Sequence, residues 1–224
     1  MRLHEGLCRA AAVLFVVAGS ASRAVGQVPG APVLQNAFAN PGLAVAANIA
    51  GGSGQSFFGA AAGYGLGSGR LQLSGAAGVQ KSANATRGAY GARLAATAWT
   101  SAGRGLAAAL FAGFGGAART RDESGAVSNP AILIVPVGLS LGYRRPLGET
   151  RGISAYVSPL YRWTRAESTV VTTSGSFGAA LGLDFSITPS FGATIGAEVG
   201  KSAGQESGTN SRSFGLALSF VPGR

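Results

Sequence analysis

The chain has 224 residues, of which 37 are glycine, 46% are apolar and only 12% are charged, with a formal net charge of +10. Charge at about half the usual quarter, and glycine well above its usual ~7%, argue against a disordered chain, and the absence of a three-residue glycine period excludes collagen. No run of ~18 apolar residues occurs, so no helical membrane span is expected.

The chain begins with a removable segment. Arg2 and Arg9 flank a charged start, Ala10 to Ala18 is a short apolar core, and small residues follow at Ser22-Arg23-Ala24 and Ala24-Val25-Gly26. This is the order of a secretory signal, expected over residues 1–26 with cleavage after Ala24 or Gly26. Met1, His4 and Cys8 are the only residues of their kinds, so the mature chain is expected to carry no Met, His or Cys. Disulfides, zinc sites built on Cys and His, and Ser-His or Cys-His nucleophiles are then excluded. Losing Arg2, Arg9, Arg23 and Glu5 leaves 15 of 18 basic residues and 7 of 8 acidic ones. The arginines are scattered and lack interleaved aromatics, which argues against nucleic acid and favours anionic lipid phosphates as the neighbour.

Gln27 to Pro41 has no period and is expected to be a periplasmic leader or a plug tucked into the barrel. From Gly42 the sequence alternates with period two, the mark of strands with one apolar face. The clearest run sets Leu133, Val135, Val137, Leu139, Leu141 and Tyr143 against Pro136, Gly138, Ser140 and Gly142. Similar runs cover Phe177–Ile187, Phe191–Val199 and Phe214–Phe220, with weaker ones at Leu43–Ala50, Phe57–Leu66, Leu71–Gln80, Ala89–Thr100, Leu106–Gly116 and Ile153–Trp163. Ten strands are expected, with eight as the alternative, each near the ~9–11 residues of a tilted membrane strand. Gly67–Gly69, Ala102–Gly105, Arg144–Gly152 and Thr188–Ser190 are expected as turns. Gln80–Gly88, Ala117–Ala131, Arg165–Gly175 and Lys201–Arg212 are expected as longer polar loops, the asymmetry of an outer-membrane barrel.

The face opposite the apolar one is mostly Gly, Ala and Ser. It suits a narrow lumen better than a water-facing exterior, so the apolar face is expected to meet lipid, and a soluble barrel or sandwich is the weaker alternative. Four charges lie on the small-residue face: Arg93, Arg162, Asp184 and Glu198. They are expected to form an ion-paired, water-bridged lumen network, with an ion-selecting constriction as the alternative. Phe57, Phe111, Tyr156 and Leu160 are expected to fill part of that lumen, leaving it wet but constricted. On the apolar face, Phe58, Tyr90, Tyr161, Trp163, Phe177 and Phe214 should form the outer aromatic girdle. Tyr64, Tyr143, Phe185, Phe191 and Phe220 should form the periplasmic one.

The stretch Ser213-Phe214-Gly215-Leu216-Ala217-Leu218-Ser219-Phe220 resembles the assembly signal on the last strand of bacterial outer-membrane barrels. That resemblance implies that Ser213, Gly215, Leu218 and Phe220 are read by the barrel-insertion machinery; residues 221–224 extend past the terminal aromatic. Ile134–Arg144 and Leu181–Ala197 also resemble the small OmpA-like outer-membrane β-barrel domain family. This implies a transmembrane, antiparallel, up-and-down all-β barrel over residues 42–220.

Other motifs carry less. Gly63–Gly69 is glycine-rich, but Leu71-Gln72-Leu73-Ser74 alternates like a strand where a phosphate-binding loop would start a helix. Asp122-Glu123 lacks calcium-loop spacing and has Arg119 and Arg121 beside it. No catalytic residue, metal site or cofactor is expected. The expected role is a lipid-embedded scaffold presenting loops to an unnamed ligand; a narrow pore is the alternative, and a barrel enzyme ranks last because the mature chain lacks the histidine base such hydrolases use.

Overall fold

The computed structural model describes residues 42–52, 54–66, 70–82, 85–101, 103, 105–121, 125, 127–148, 151–201 and 210–222. The expected signal and leader lie outside them. The described chain is all strand and turn. Its strands are β1 (Gly42–Gly52), β2 (Gln55–Leu66), β3 (Leu71–Ser82), β4 (Ala85–Thr100), β5 (Leu106–Ala117), β6 (Thr120–Arg121), β7 (Val127–Asn129), β8 (Ala131–Pro146), β9 (Gly152–Glu167), β10 (Val171–Ser186), β11 (Phe191–Lys201) and β12 (Asn210–Phe220). Ten of them form one closed barrel, in the order β1-β12-β11-β10-β9-β8-β5-β4-β3-β2, and β6 and β7 form a separate hairpin. Every pairing is antiparallel, and β1 closes the barrel on β12 with Val45 opposite Phe220 and Gly51 opposite Phe214.

The registers fix the barrel's width. From Asn48, one path runs through Gly59, Gly78, Ala89 and Ala117 to Ile132 on β8. The other runs through Ala217, Thr194, Asp184 and Ser154 to Arg144 on the same strand. The two arrivals differ by the 12 residues between 132 and 144, which is the shear of the barrel. Ten strands with that stagger tilt by about 40° and give a backbone radius of roughly 10 Å.

Period-two alternation sends large apolar side chains outward. Among the described residues Leu73, Leu110, Leu181 and Leu218 are exposed in this way, with many others like them. Water does not tolerate so continuous an apolar belt on a monomer.

The wall is taller than the alternation indicates. The β3–β4 connection is residues 83–84 and the β9–β10 connection is 168–170, where long loops were expected. Thr172, Ser174 and Ser176 pair across β9 like any other strand residues. Hydroxyl and glycine positions extend the ladder beyond the apolar belt, because strand pairing requires backbone groups and tolerates polar side chains. The connections between β5 and β8 and between β11 and β12 (residues 202–209) stay long, and the first folds back as β6–β7, held by Asn129 Nδ2 donating to Thr120 Oγ1 at 3.0 Å.

Candidate functional site

The lumen collects the chain's inward polar and aromatic groups. At the end away from Gly42 and Phe220, Arg87 Nε donates to Gln80 Oε1 at 2.8 Å and Gln80 Nε2 donates to Gln55 Oε1 at 2.6 Å. Arg87 Nη1 also reaches the Pro130 carbonyl at 2.8 Å, tying the wall to the start of β8. Arg87 was expected in a loop. It is buried because β4 starts at Ala85, which adds a fifth charge to the inward set.

At mid-height, Arg162 on β9 reaches across β10 to Glu198 on β11, with Nη1 to Oε1 at 2.5 Å and both side chains buried. A charge pair in this setting is tolerable only when matched, since removing one partner strands the other. Glycines make the reach possible: a Cβ on Gly178 would lie 2.9 Å from Arg162 Nη2, and one on Gly200 would press still closer on the same atom. Arg93 on β4 lies with its guanidinium carbon 4.5 Å from the centre of the Phe111 ring, a cation–π contact away from water.

Phe111 continues into an apolar cluster with Ala95, Leu160 and Ala180. Ala95 and Ala180 belong to β4 and β10, four places apart around a ten-strand barrel, so the cluster crosses the lumen. Tyr156 is buried below it and lies on the bare backbone of Gly182, where a Cβ would be 2.5 Å from the ring. Above it, Phe57 covers Gly59 and Gly78 in the same manner and packs with Ala89 and Ala117. Phe57, Phe111, Tyr156 and Leu160 are thus all buried inside the barrel.

Toward the opposite end, Asp184 accepts hydrogen bonds from Ser154 Oγ at 2.9 Å and Thr194 Oγ1 at 2.6 Å. Ser140 and Ser158 hydrogen-bond across β8 and β9 just above. The four charges read from the sequence all point inward: Arg162 and Glu198 meet as a pair, Arg93 lies over Phe111, and Asp184 accepts from Ser154 and Thr194.

Outside, Phe58, Tyr90, Tyr161 and Phe177 are exposed near one end, with the Tyr161 and Phe177 rings 5.1 Å apart. Tyr64, Tyr143, Phe191 and Phe220 are exposed near the other, with Phe191 and Phe220 4.9 Å apart. Trp163, Phe185 and Phe214 are half-buried on the same outward face. Two exposed rings are absent from the girdles read from the sequence, Phe114 on β5 and Trp99 on β4. Trp99 shares the odd numbering of inward Arg93 and Ala95, but a bulge between Thr97 and Trp99 turns it outward, opposite Ala108. Bulges re-aim side chains in this way, and period-two alternation cannot foresee them.

Among the described residues no group of three His, Cys, Asp or Glu side chains is placed to hold a metal. No family model matches the chain, and no curated protein matches it. Among solved structures, Neisserial surface protein A matches at 10% identity and a TM-score of 0.40, over 80% of this chain and 96% of that one. The N-terminal β-barrel domain of Pseudomonas aeruginosa OprF matches at 12% identity and 0.36, over 80% and 96%. The NanC porin matches at 13% identity and 0.37, over 80% and 98%.

Proposed function

We propose that the chain is a bacterial outer-membrane barrel that works as a closed scaffold, holding its outer connections at the cell surface for interaction. Membrane placement is supported by the exposed apolar belt, bounded by aromatic rings, with the outward charges confined to the strand ends. Strands of 11 to 16 residues are long enough for a tilted crossing, which needs ~9–11.

The observation that carries the closed reading is the side-chain cluster across the lumen, Ala95, Phe111, Leu160 and Ala180, flanked by the Arg162–Glu198 pair. A pore requires a continuous aqueous path. Beyond residue 26 the chain has no histidine or cysteine, and we assign it no enzymatic step.

The test is electrical and begins with a folding check. The mature chain should fractionate with outer membranes and migrate faster on gels before heating than after. Reconstituted in a planar bilayer, it should pass no steady current, whereas Phe111→Ala with Leu160→Ala should open one. A stable, sizeable conductance in the unaltered chain would make it a narrow pore.

A further inference from the structure

The rim at the turn end of β8 and β9 carries two outward arginines placed side by side. Arg145 continues the outward alternation of Leu141 and Tyr143 and pairs with Ile153, while the Leu147 N–H donates to the Arg151 carbonyl at 2.9 Å. Arg145 and Arg151 are therefore diagonal neighbours on one face, and both are exposed. Diagonal neighbours on a strand pair lie about 7–8 Å apart, and like charges placed so close repel unless an anion sits between them. Arg144, one residue earlier, faces the other way, toward the lumen mouth and Asp184.

What lies beneath the pair narrows the anion. Tyr143 is exposed next to Arg145, Leu106 pairs with Tyr143, and the bulge in β4 turns Trp99 onto this same outward face two strands along. A soluble anion needs no apolar floor. A molecule with a charged head and hydrocarbon chains needs both. At this end the described residues offer Arg70, Arg144, Arg145 and Arg151 against the single carboxylate of Asp184, a field that would repel the ammonium of a zwitterionic head.

We propose that Arg145 and Arg151 form a seat for the phosphate of an anionic phospholipid of the phosphatidylglycerol type, whose acyl chains lie along Tyr143, Leu106 and Trp99. The seat rests on the membrane placement proposed above. It goes beyond that placement in naming the lipid class and the residues that choose it.

The chain has two tryptophans, so Trp163→Phe leaves Trp99 as the only reporter. This protein, in phosphatidylcholine vesicles, is titrated with phosphatidylglycerol or with phosphatidylethanolamine, each brominated on its chains. At about 1 kcal/mol per arginine near the surface, the two arginines together should let phosphatidylglycerol quench Trp99 at roughly thirtyfold lower mole fraction. Arg145→Gln with Arg151→Gln should equalise the two lipids while heat-modifiable migration is retained. Equal quenching with both arginines present, or a preference that survives their replacement, overturns the seat. So does a preference that appears only in Glu149→Gln, because the turn's own carboxylate then occupies the arginines. Absence of Trp99 quenching by both lipids is a distinct result, and it refutes the membrane placement itself.

Discussion

At the scale of single residues, glycine in this barrel makes room for side chains that lie flat on the wall. Gly182 is the sharpest case, because the Tyr156 ring occupies the space where a Cβ would be. Gly182→Ala should therefore destabilise the folded barrel by about 1–3 kcal/mol, the usual cost of overpacking. In a Tyr156→Ala background the same change should cost almost nothing further, since the clash is gone. Urea unfolding in detergent, read as a double-mutant cycle, checks this; an equal cost in both backgrounds would mean that backbone conformation, not the ring, excludes alanine. Alternation alone indicates which side chains point inward, as it does for Arg162, Glu198, Phe111 and Tyr156. It does not indicate which of them meet. That depends on the 12-residue stagger around the ring, which brings Phe111 of β5 onto Leu160 of β9 and Arg162 onto Glu198 two strands away.

At the scale of elements, all ten barrel strands are visible as apolar alternation, and the errors sit at their ends. Gln80 and Arg87 look like loop residues because they are polar, yet they pair opposite one another as wall residues whose side chains bond inside the lumen. Polar residues continue a strand freely once it rises above lipid, so hydropathy marks the membrane's edge and not the strand's. The last strand is where the sequence and the fold agree most usefully. β12 is laid between β11 and β1, so barrel closure depends on it, and Phe220 pairs with both Phe191 and Val45. Phe220→Asp should remove an outward ring contact and the terminal aromatic of the resemblance to the assembly signal together. The expected result is loss of outer-membrane protein and accumulation of unfolded chain in the periplasm, seen by fractionation and loss of the fast-migrating band. Unchanged outer-membrane levels would show that assembly reads other residues.

At the scale of the whole molecule, sidedness is best argued from topology, because connection length separates the two ends only through residues 118–130 and 202–209. Residues 53–54, 83–84 and 168–170 make connections at one end that are as short as residues 67–70 or 187–190 at the other. The even strand number decides instead. Gly42 starts β1 and Phe220 ends β12 at the same rim, the one that holds the 67–70 and 187–190 turns. A chain exported from its N-terminus keeps its leader on the near side of the outer membrane, since polar ends cross lipid at high cost while hairpins insert with every backbone group paired. Thr188 should then face the periplasm and Ser168 the outside. The mature chain is expected to lack cysteine, so Ser168→Cys and Thr188→Cys can be probed one at a time with a membrane-impermeant maleimide. Both positions are exposed. Ser168→Cys should react in intact cells, and Thr188→Cys only after the outer membrane is permeabilised. The opposite pattern would invert the barrel and place the Arg145–Arg151 rim in the outer leaflet.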